Sequence, residues 1–406
     1  MKQANNHEKF SENFKQIPKS FIREILNVAG SDKMISFAGG LPNPDYFPIE
    51  ALKHSAGVVF QNNGVEMLQY AGSRGYLPLR QWIANRYNKK YQLSIQAENI
   101  IITNGSQQAI DVIGKMFVNR GDDVLVEKPT YLGGIQALSA YSPRFLETSL
   151  NSDGPNIVET GRIFEENDVK LMYAIPNFQN PSGITYSEEK RIKLASLLND
   201  HKVLMLEDDP YNEICFDQKC AKPVYAYAPE QVFWTGSFSK MVAPGLRMGW
   251  VVIPDGLSAY FERAKQSVDL HSNNLSQHII YHFLVNNDID QHLKTIRNAY
   301  ARQCALMQQL IERYMPHNVH YTKPRGGMFL WLKLPYKIDA YELVERTMKQ
   351  NVVFVPGSSF FVSANGQSNI RMNFSNASDD KMEEGIRIMA SELKTMIYQS
   401  EELLLL

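Results

Sequence analysis

Lys240 lies within "GSFSKMVAPGLRMGW", residues 236–250. Ser237 and Ser239 precede it, and a Pro244–Gly245 turn follows. A surface lysine needs no such setting. A lysine amine that is desolvated or placed among cations becomes a nucleophile toward carbonyls and forms Schiff bases. Arg247 supplies a nearby cation. Serine hydroxyls and an arginine beside a lysine also suit a dianionic phosphate.

Other reactive residue types end apolar runs. "TNGSQQAI" places Gly105, Ser106 and Gln107 at a strand-to-helix junction, where helix N-terminal amides bind phosphate. A plain N-cap by Ser106 is the alternative there. "EKPTYLGG" sets Tyr131 in a turn, either as a ring that stacks on a planar cofactor or as a half-buried core tyrosine. "PNFQNPSG" carries Asn180, whose amide either donates to a phenolate-type oxygen or shapes a turn. "LEDDPYNE" follows an apolar run with Asp208, Asp209 and Tyr211. A carboxylate in a cleft needs a positive partner to stay ionised, and a protonated ring nitrogen is one. A solvated acidic loop would read the same way. "NIRMNFS" holds Arg371 among apolar neighbours. Its guanidinium can take a carboxylate in two parallel hydrogen bonds, or form an internal salt bridge.

The elements that must position these residues alternate in type. "NIIITNG", "DVLVEKPTY", "VKLMYAIPNFQNPSG", "KVLMLEDDPY", "VFWTGSFSK" and "RMGWVVIP" read as strands. Helical patterns over 106–118, 132–141 and 187–201 fall between them, and residues 75–92 read as an earlier helix. Strand and helix in alternation predict an α/β fold with a mostly parallel sheet covered on both faces. In such sheets ligands bind beyond the carboxyl ends of the strands, where the residues above collect. After about residue 300 the pattern changes. A long helix around 285–314 leads to "GGMFLWLKLP", a helix at 340–350, and short strands in "VVFVPGSSF" and "NIRMNFS". The expected organisation is a large domain over 61–299 and a small α+β domain built from both chain ends, 1–60 and 300–406.

The 406 residues carry a formal net charge of -1, with no basic stripe to meet a nucleic acid. Three cysteines, Cys215, Cys220 and Cys304, are too few for a disulfide scaffold or a zinc-ligand pattern. No metal is expected. The polar start "MKQANNHEKF" lacks a secretory apolar region, and no apolar run is long enough to span a bilayer. A cytoplasmic protein without membrane partners is expected, with the closing "EELLLL" a tail of unassigned role.

Taken together the set matches the needs of pyridoxal phosphate: a Schiff-base lysine, an acid for the ring nitrogen, a stacking ring and a phosphate site. The chain resembles the fold-type I, class I/II pyridoxal-phosphate aminotransferases. It is most similar to the branch with 2-aminoadipate (kynurenine) aminotransferases and the effector domains of GntR/MocR-type regulators. The carrying motifs are "SFAGGLPNPDYFP", "LQYAGSRGYLPLR", "ITNGSQQAI", "PNFQNPSG", "LEDDPY", "GSFSKMVAPGLRMGW", "PRGGMFLWL" and "NIRMNFS".

The resemblance implies roles. Lys240 holds the cofactor and shuttles a proton. Asp208, rather than Asp209, faces the ring nitrogen. Tyr211 and Asn180 serve the ring hydroxyl oxygen, and Tyr131 stacks. Ser106, Gln107, Ser237 and Arg247 bind the phosphate. Arg371 clamps the substrate α-carboxylate. Gly40 belongs to a substrate lid. Tyr70 reaches the phosphate of a neighbouring subunit, which implies a homodimer. Arg23 aligns with an arginine that in some relatives meets a distal carboxylate, with a helix-surface arginine as the alternative. Tyr46 and Phe360 would suit aromatic or aliphatic donors.

The implied activity is ping-pong transfer of an amino group between an L-amino acid and a 2-oxo acid. The donors in view are 2-aminoadipate, aromatic or aliphatic amino acids, with glutamate and 2-oxoglutarate as partner. A lyase or decarboxylase on the same fold is the alternative. A cofactor-sensing regulatory domain is a lesser one, since "SFAGGLPNP" begins near residue 36 and leaves no room for a winged helix before it.

Overall fold

The computed structural model describes residues 9–18, 34–217, 220–335 and 338–405. Among these the strands run, in chain order, Ile35–Ser36 (β1), Ile100–Thr103 (β2), Asp123–Lys128 (β3), Arg144–Asn151 (β4) and Gly154–Pro155 (β5). Next come Val169–Ala174 (β6), Leu204–Asp208 (β7), Val232–Ser237 (β8) and Gly249–Val252 (β9). His320–Tyr321 (β10), Phe329–Lys333 (β11), Val352–Val353 (β12), Val355–Pro356 (β13) and Asn369–Asn373 (β14) follow.

An eight-stranded sheet has the order β2-β9-β8-β7-β6-β3-β4-β5. β3, β4, β6, β7 and β8 pair in parallel. β9 is antiparallel to both β8 and β2, so β2 runs in the same sense as the parallel strands. This is the expected α/β sheet. Its central strands read as continuous apolar or small-residue runs because helices cover both faces. β2 and β8 are buried at every position. The carboxyl ends of β2, β3, β6, β7 and β8 therefore open along one edge.

Close packing sets the β8–β9 pair. Trp234 and Trp250 meet edge to face at 5.2 Å, with Tyr87 against both. Such pairs contribute about 1 kcal/mol beyond the area they bury. Gly236 makes this possible, because a Cβ there would lie 2.1 Å from the Trp250 ring. The strand carrying Ser237 toward Lys240 thus lies flat on its neighbour.

A second, antiparallel sheet has the order β10-β11-β14-β13. β1 pairs in parallel with β12, so a segment from the start of the chain lies beside one near its end. Phe37 N donates to Val353 O at 2.8 Å, and Asn373 N donates to Phe37 O at 2.8 Å. These bonds fix the approach to Gly40.

Some elements differ from expectation. The helix expected around 285–314 runs Ile289–Tyr314, and a separate helix, Asn274–Asn286, precedes it. Asn287 is extended, and Asp288 caps a new helix by accepting from Gln291 N. β4 and the helices Ile49–Leu68, Ile157–Glu166 and Asp379–Leu405 carried no expectation. The last of these runs into the "EELLLL" tail. Among the described residues, no helix is long and apolar enough to cross a membrane.

Candidate active site

Each strand of the open edge delivers a residue to one cavity of about 430 Å³. Its lining includes Gly40, Ser106, Gln107, Tyr131, Asn180, Asp208, Tyr211, Ser237, Lys240, Arg247 and Arg371. Among the described sequence candidates, Tyr70 lies outside it. Tyr70 is 78% exposed and sets its ring edge-on to His271. Arg23 lies outside the described residues. Tyr46 and Phe360 are not in the lining: Tyr46 packs on Tyr300, and Phe360 is core.

Lys240 follows the buried end of β8, and its Nζ donates to Gly40 O at 2.7 Å. Burial pushes the amine down to about 8, and the Arg371 and Arg247 charges push the same way. It is therefore partly neutral near physiological pH, as a nucleophile or base must be.

Asp208 is the last residue of β7 and is 2% exposed. It is no solvated acidic loop. Burial raises its carboxyl to about 6, while hydrogen bonds from Thr235, Tyr173 and Ser106 oppose the rise. Thr235 Oγ1 donates to Oδ1 and Tyr173 OH donates to Oδ2, each at 2.9 Å. Thr235 and Tyr173 carried no sequence expectation, since each reads as an ordinary strand residue. Asp209 points elsewhere and accepts from Asn177, Asn212 and Trp234 Nε1.

Arg371 lies on β14 at 3% exposure, with no acid as partner among the described residues. Its Nη1 donates to Asn180 Oδ1 at 2.9 Å and its Nη2 to Ala38 O. The guanidinium carbon sits 4.4 Å from the Phe329 ring centroid and 5.0 Å from that of Phe360. Nε has no hydrogen-bond partner among the described residues. Among the described residues Arg371 forms no internal salt bridge of the kind weighed from sequence. A planar cation held by rings and neutral oxygens is poised for an incoming carboxylate.

The Ser106–Phe117 helix opens the other end of the cavity. Its N-cap is Gly105, not Ser106, and no side chain caps it. Gly105 has φ +78°, and a Cβ there would come 2.8 Å from Arg247 Nη2. Only glycine lets the arginine close over these amides without strain. Gln107 ties its Nε2 to Gly133 O at 2.7 Å, so its backbone rather than its amide side chain is free to face the cavity. A Cβ on Gly133 would meet the Tyr131 ring at 2.4 Å, so this glycine gives Tyr131 its place. Asn180 also hydrogen-bonds Tyr211, whose hydroxyl burial raises out of its ordinary range.

The lining sets three cations, Lys240, Arg247 and Arg371, against the single carboxylate of Asp208. Uncapped helix amides with an arginine suit a phosphate at one end, and Arg371 suits a carboxylate at the other. A nucleophilic amine and a buried acid lie between them.

Known proteins of similar sequence and fold place the chain in a family. Residues 38–389 match the family described as aminotransferase class I and II. The chain is 37% identical to the aromatic-amino-acid aminotransferase 1 of Thermococcus litoralis, over 95% of this chain and 94% of that one. The kynurenine aminotransferase of Pyrococcus horikoshii, solved with PMP, superposes with a TM-score of 0.92 at 35% identity, covering 97% of this chain and 98% of that one. The α-aminoadipate aminotransferase of Thermus thermophilus, solved with N-(5'-phosphopyridoxyl)-L-leucine, gives 0.90 at 33% identity, covering 97% and 99%. The chain belongs to the class I and II aminotransferases, and it is a pyridoxal-phosphate-dependent enzyme of fold type I.

Proposed function

We propose that this enzyme moves an amino group between L-amino acids and 2-oxo acids in two half-reactions, with 2-aminoadipate, aromatic or aliphatic donors and 2-oxoglutarate as acceptor. The observation that carries the reading is a Lys240 amine, lowered to about 8 by burial, in the same cavity as a buried Arg371 that has no acid partner among the described residues. The relatives' substrates, aromatic amino acids, kynurenine and α-aminoadipate, support the donor range.

The donor set fits pyridoxal phosphate. The uncapped helix, Ser106, Gln107, Ser237 and Arg247 would hold its phosphate. Tyr131 would stack on its ring. Asn180 and Tyr211 would donate to the ring oxygen, and Asp208 would answer the ring nitrogen. When bound, the cofactor supplies an aldehyde that captures amines and a ring that takes up the electron pair left by a departing α-proton.

The chain's own residues do the rest. Arg371 binds the substrate α-carboxylate and so fixes which bond at the α-carbon faces Lys240. The Lys240 amine takes the α-proton and later gives it up again. Asp208 keeps a proton at the ring nitrogen, and Thr235 and Tyr173 hold both of its oxygens in place. The loop through Gly40 closes the cavity above. Arg23 is retained as a candidate contact for a distal carboxylate.

The same reading includes a homodimer in the cytoplasm. Tyr70 is exposed, as are Val65, Leu68 and Leu270. Asn274 Nδ2 donates to Glu66 O and Met67 O, which brings the helix end carrying Val65 and Leu68 beside the segment after Leu270. An apolar face of this kind suits a second copy. Tyr70 would then cross to the partner's phosphate.

The test is a half-reaction. The enzyme loaded with cofactor is given one amino acid at a time (2-aminoadipate, glutamate, leucine, methionine, phenylalanine, tyrosine) without any oxo acid. The expected result is conversion of the cofactor absorbance to that of its amine form, with one equivalent of 2-oxo acid released. Release of ammonia or CO₂ instead would overturn the reaction assignment.

A further inference from the structure

One buried carboxylate near the cavity has no part in the reaction as derived. Glu127 lies in β3 and is 0% exposed. Its hydrogen-bond partners are three neutral donors. Tyr186 OH donates to Oε1 at 2.6 Å, and Ile175 N and Gln179 Nε2 donate to Oε2 at 3.1 Å each. Burial raises the carboxyl to about 8, partly offset by these three donors. Burying a carboxylate without a cation is costly, so its retention asks for an account.

The donors all come from one loop, the connection after β6. Ile175, Gln179 and Tyr186 mark its start, middle and end, and Asn180 follows Gln179 directly. The loop closes on itself through Gln179 N to Ile184 O at 2.8 Å and Tyr186 N to Pro176 O at 2.8 Å. Gln179 Oε1 accepts from Ser182 N at 2.9 Å. Gln179 Nε2 also donates to Pro129 O at 2.6 Å, two residues before Tyr131. Glu127 and Gln179 therefore join the two loops that carry Asn180 and Tyr131. Asn180 in turn orients Arg371 and contacts Tyr211.

We infer that Glu127 is a positioning residue: its carboxyl group pins the Ile175–Tyr186 loop to the β3 turn and so sets Asn180 and Tyr131 against cofactor and substrate. This rests on the function proposed above. Side chains that hold ligating groups from behind give rigidity that the ligating groups cannot give themselves.

The test compares Glu127→Leu, Glu127→Gln and Tyr186→Phe with the wild-type holoenzyme. Glu127→Leu leaves Tyr186 OH and Ile175 N without this acceptor, and Gln179 Nε2 with Pro129 O alone. Glu127→Gln keeps one oxygen to receive Ile175 N and Gln179 Nε2. Two readouts are taken per active site: KM and kcat for the amino donor, and the pH midpoint of the bound cofactor's absorbance before substrate is added. A rise in KM of roughly 10-fold in Glu127→Leu is expected, the scale on which outer partners of a ligating group act. The absorbance midpoint should shift with it. Glu127→Gln should recover most of the KM change. Thr148→Val, which breaks the buried Thr148–Thr160 hydrogen bond outside the cavity lining, serves as a destabilised control and should move neither readout.

If Glu127→Leu lowers only thermal stability, with KM and midpoint unmoved, the inference is overturned. If that variant does not fold, Tyr186→Phe decides: a smaller change in the same direction supports the inference, and none overturns it. A wild-type enzyme with no cofactor band would instead overturn the reading of the site itself.

Discussion

The Lys240 amine donates to the Gly40 carbonyl across 2.7 Å, so the lysine at the end of β8 touches the loop that follows β1. That carbonyl is the amine's neutral partner. The nearby charges, Arg371 and Arg247, are both positive. Each disfavours the protonated amine, and burial disfavours it more.

A first expectation concerns pH. The neutral amine is the form that attacks an aldehyde. Capture of pyridoxal phosphate by the apo-enzyme should therefore accelerate as pH rises and level off above about 8. Arg247→Ala removes a cation that lowers the amine's pKa, so the levelling point should move to higher pH. Stopped-flow absorbance at a series of pH values reads this directly. A levelling point that moves downward would contradict the electrostatics.

A second concerns the carboxylate clamp. Arg371→Lys replaces a planar fork by a point charge and frees Asn180 Oδ1 and Ala38 O. Losing such charge-assisted bonds costs about 3 kcal/mol, or roughly 10²-fold in kcat/KM. Amines without an α-carboxylate should lose far less. Steady-state kinetics with matched amino acids and amines would show it, and equal losses for both would place Arg371 outside the carboxylate site.

A third concerns Asp208. Burial raises its carboxyl to about 6, and the bonds from Thr235 and Tyr173 restrain the rise. Thr235→Val and Tyr173→Phe each remove a donor to the charged form, so protonation becomes easier. The acid limb of kcat/KM should move to higher pH by about half to one unit per bond. A limb that stays fixed in the double variant would assign it to another group.

A fourth concerns packing. Gly236→Ala sets a methyl group 2.1 Å from the Trp250 ring and must displace it. Overpacking of this kind costs about 1–3 kcal/mol. Denaturant unfolding should show that loss. Cofactor retention on dialysis should fall too, because the same strand carries Ser237.

Much of the site was legible because its residue types are out of place. Lys240, Asp208 and Arg371 each interrupt or end an apolar run, and an ionisable group there demands a partner. The strands β2, β3, β6, β7, β8 and β9 were legible for the related reason that burial on both faces leaves continuous apolar runs. β4 was not. Its sequence, "RFLETSLN", is buried fully at only one position, so its apolar residues are scattered rather than continuous. The Ile49–Leu68 helix buries only Ser55, Val59 and Met67, and so lacks a clear apolar stripe. Tyr173, Thr235 and Glu127 stayed hidden for another reason. Their partners are far away in the chain, and nothing in the type of a strand tyrosine, threonine or glutamate says which loop it will hold.

The pairing of β1 with β12 also orders events in time. A ribosome makes β1 early and its partner only near the end. Until Val352 and Val353 have emerged, the segment from Phe37 to Leu41 has no edge to lie against, and Arg371 does not yet exist. A nascent or truncated chain that stops before Val352 can carry Lys240 and the whole eight-stranded sheet, yet it has no clamp for a carboxylate and no seated loop beside the lysine. On the proposed roles, a half-made form should process amino acids poorly, and full activity is expected only when synthesis is nearly complete.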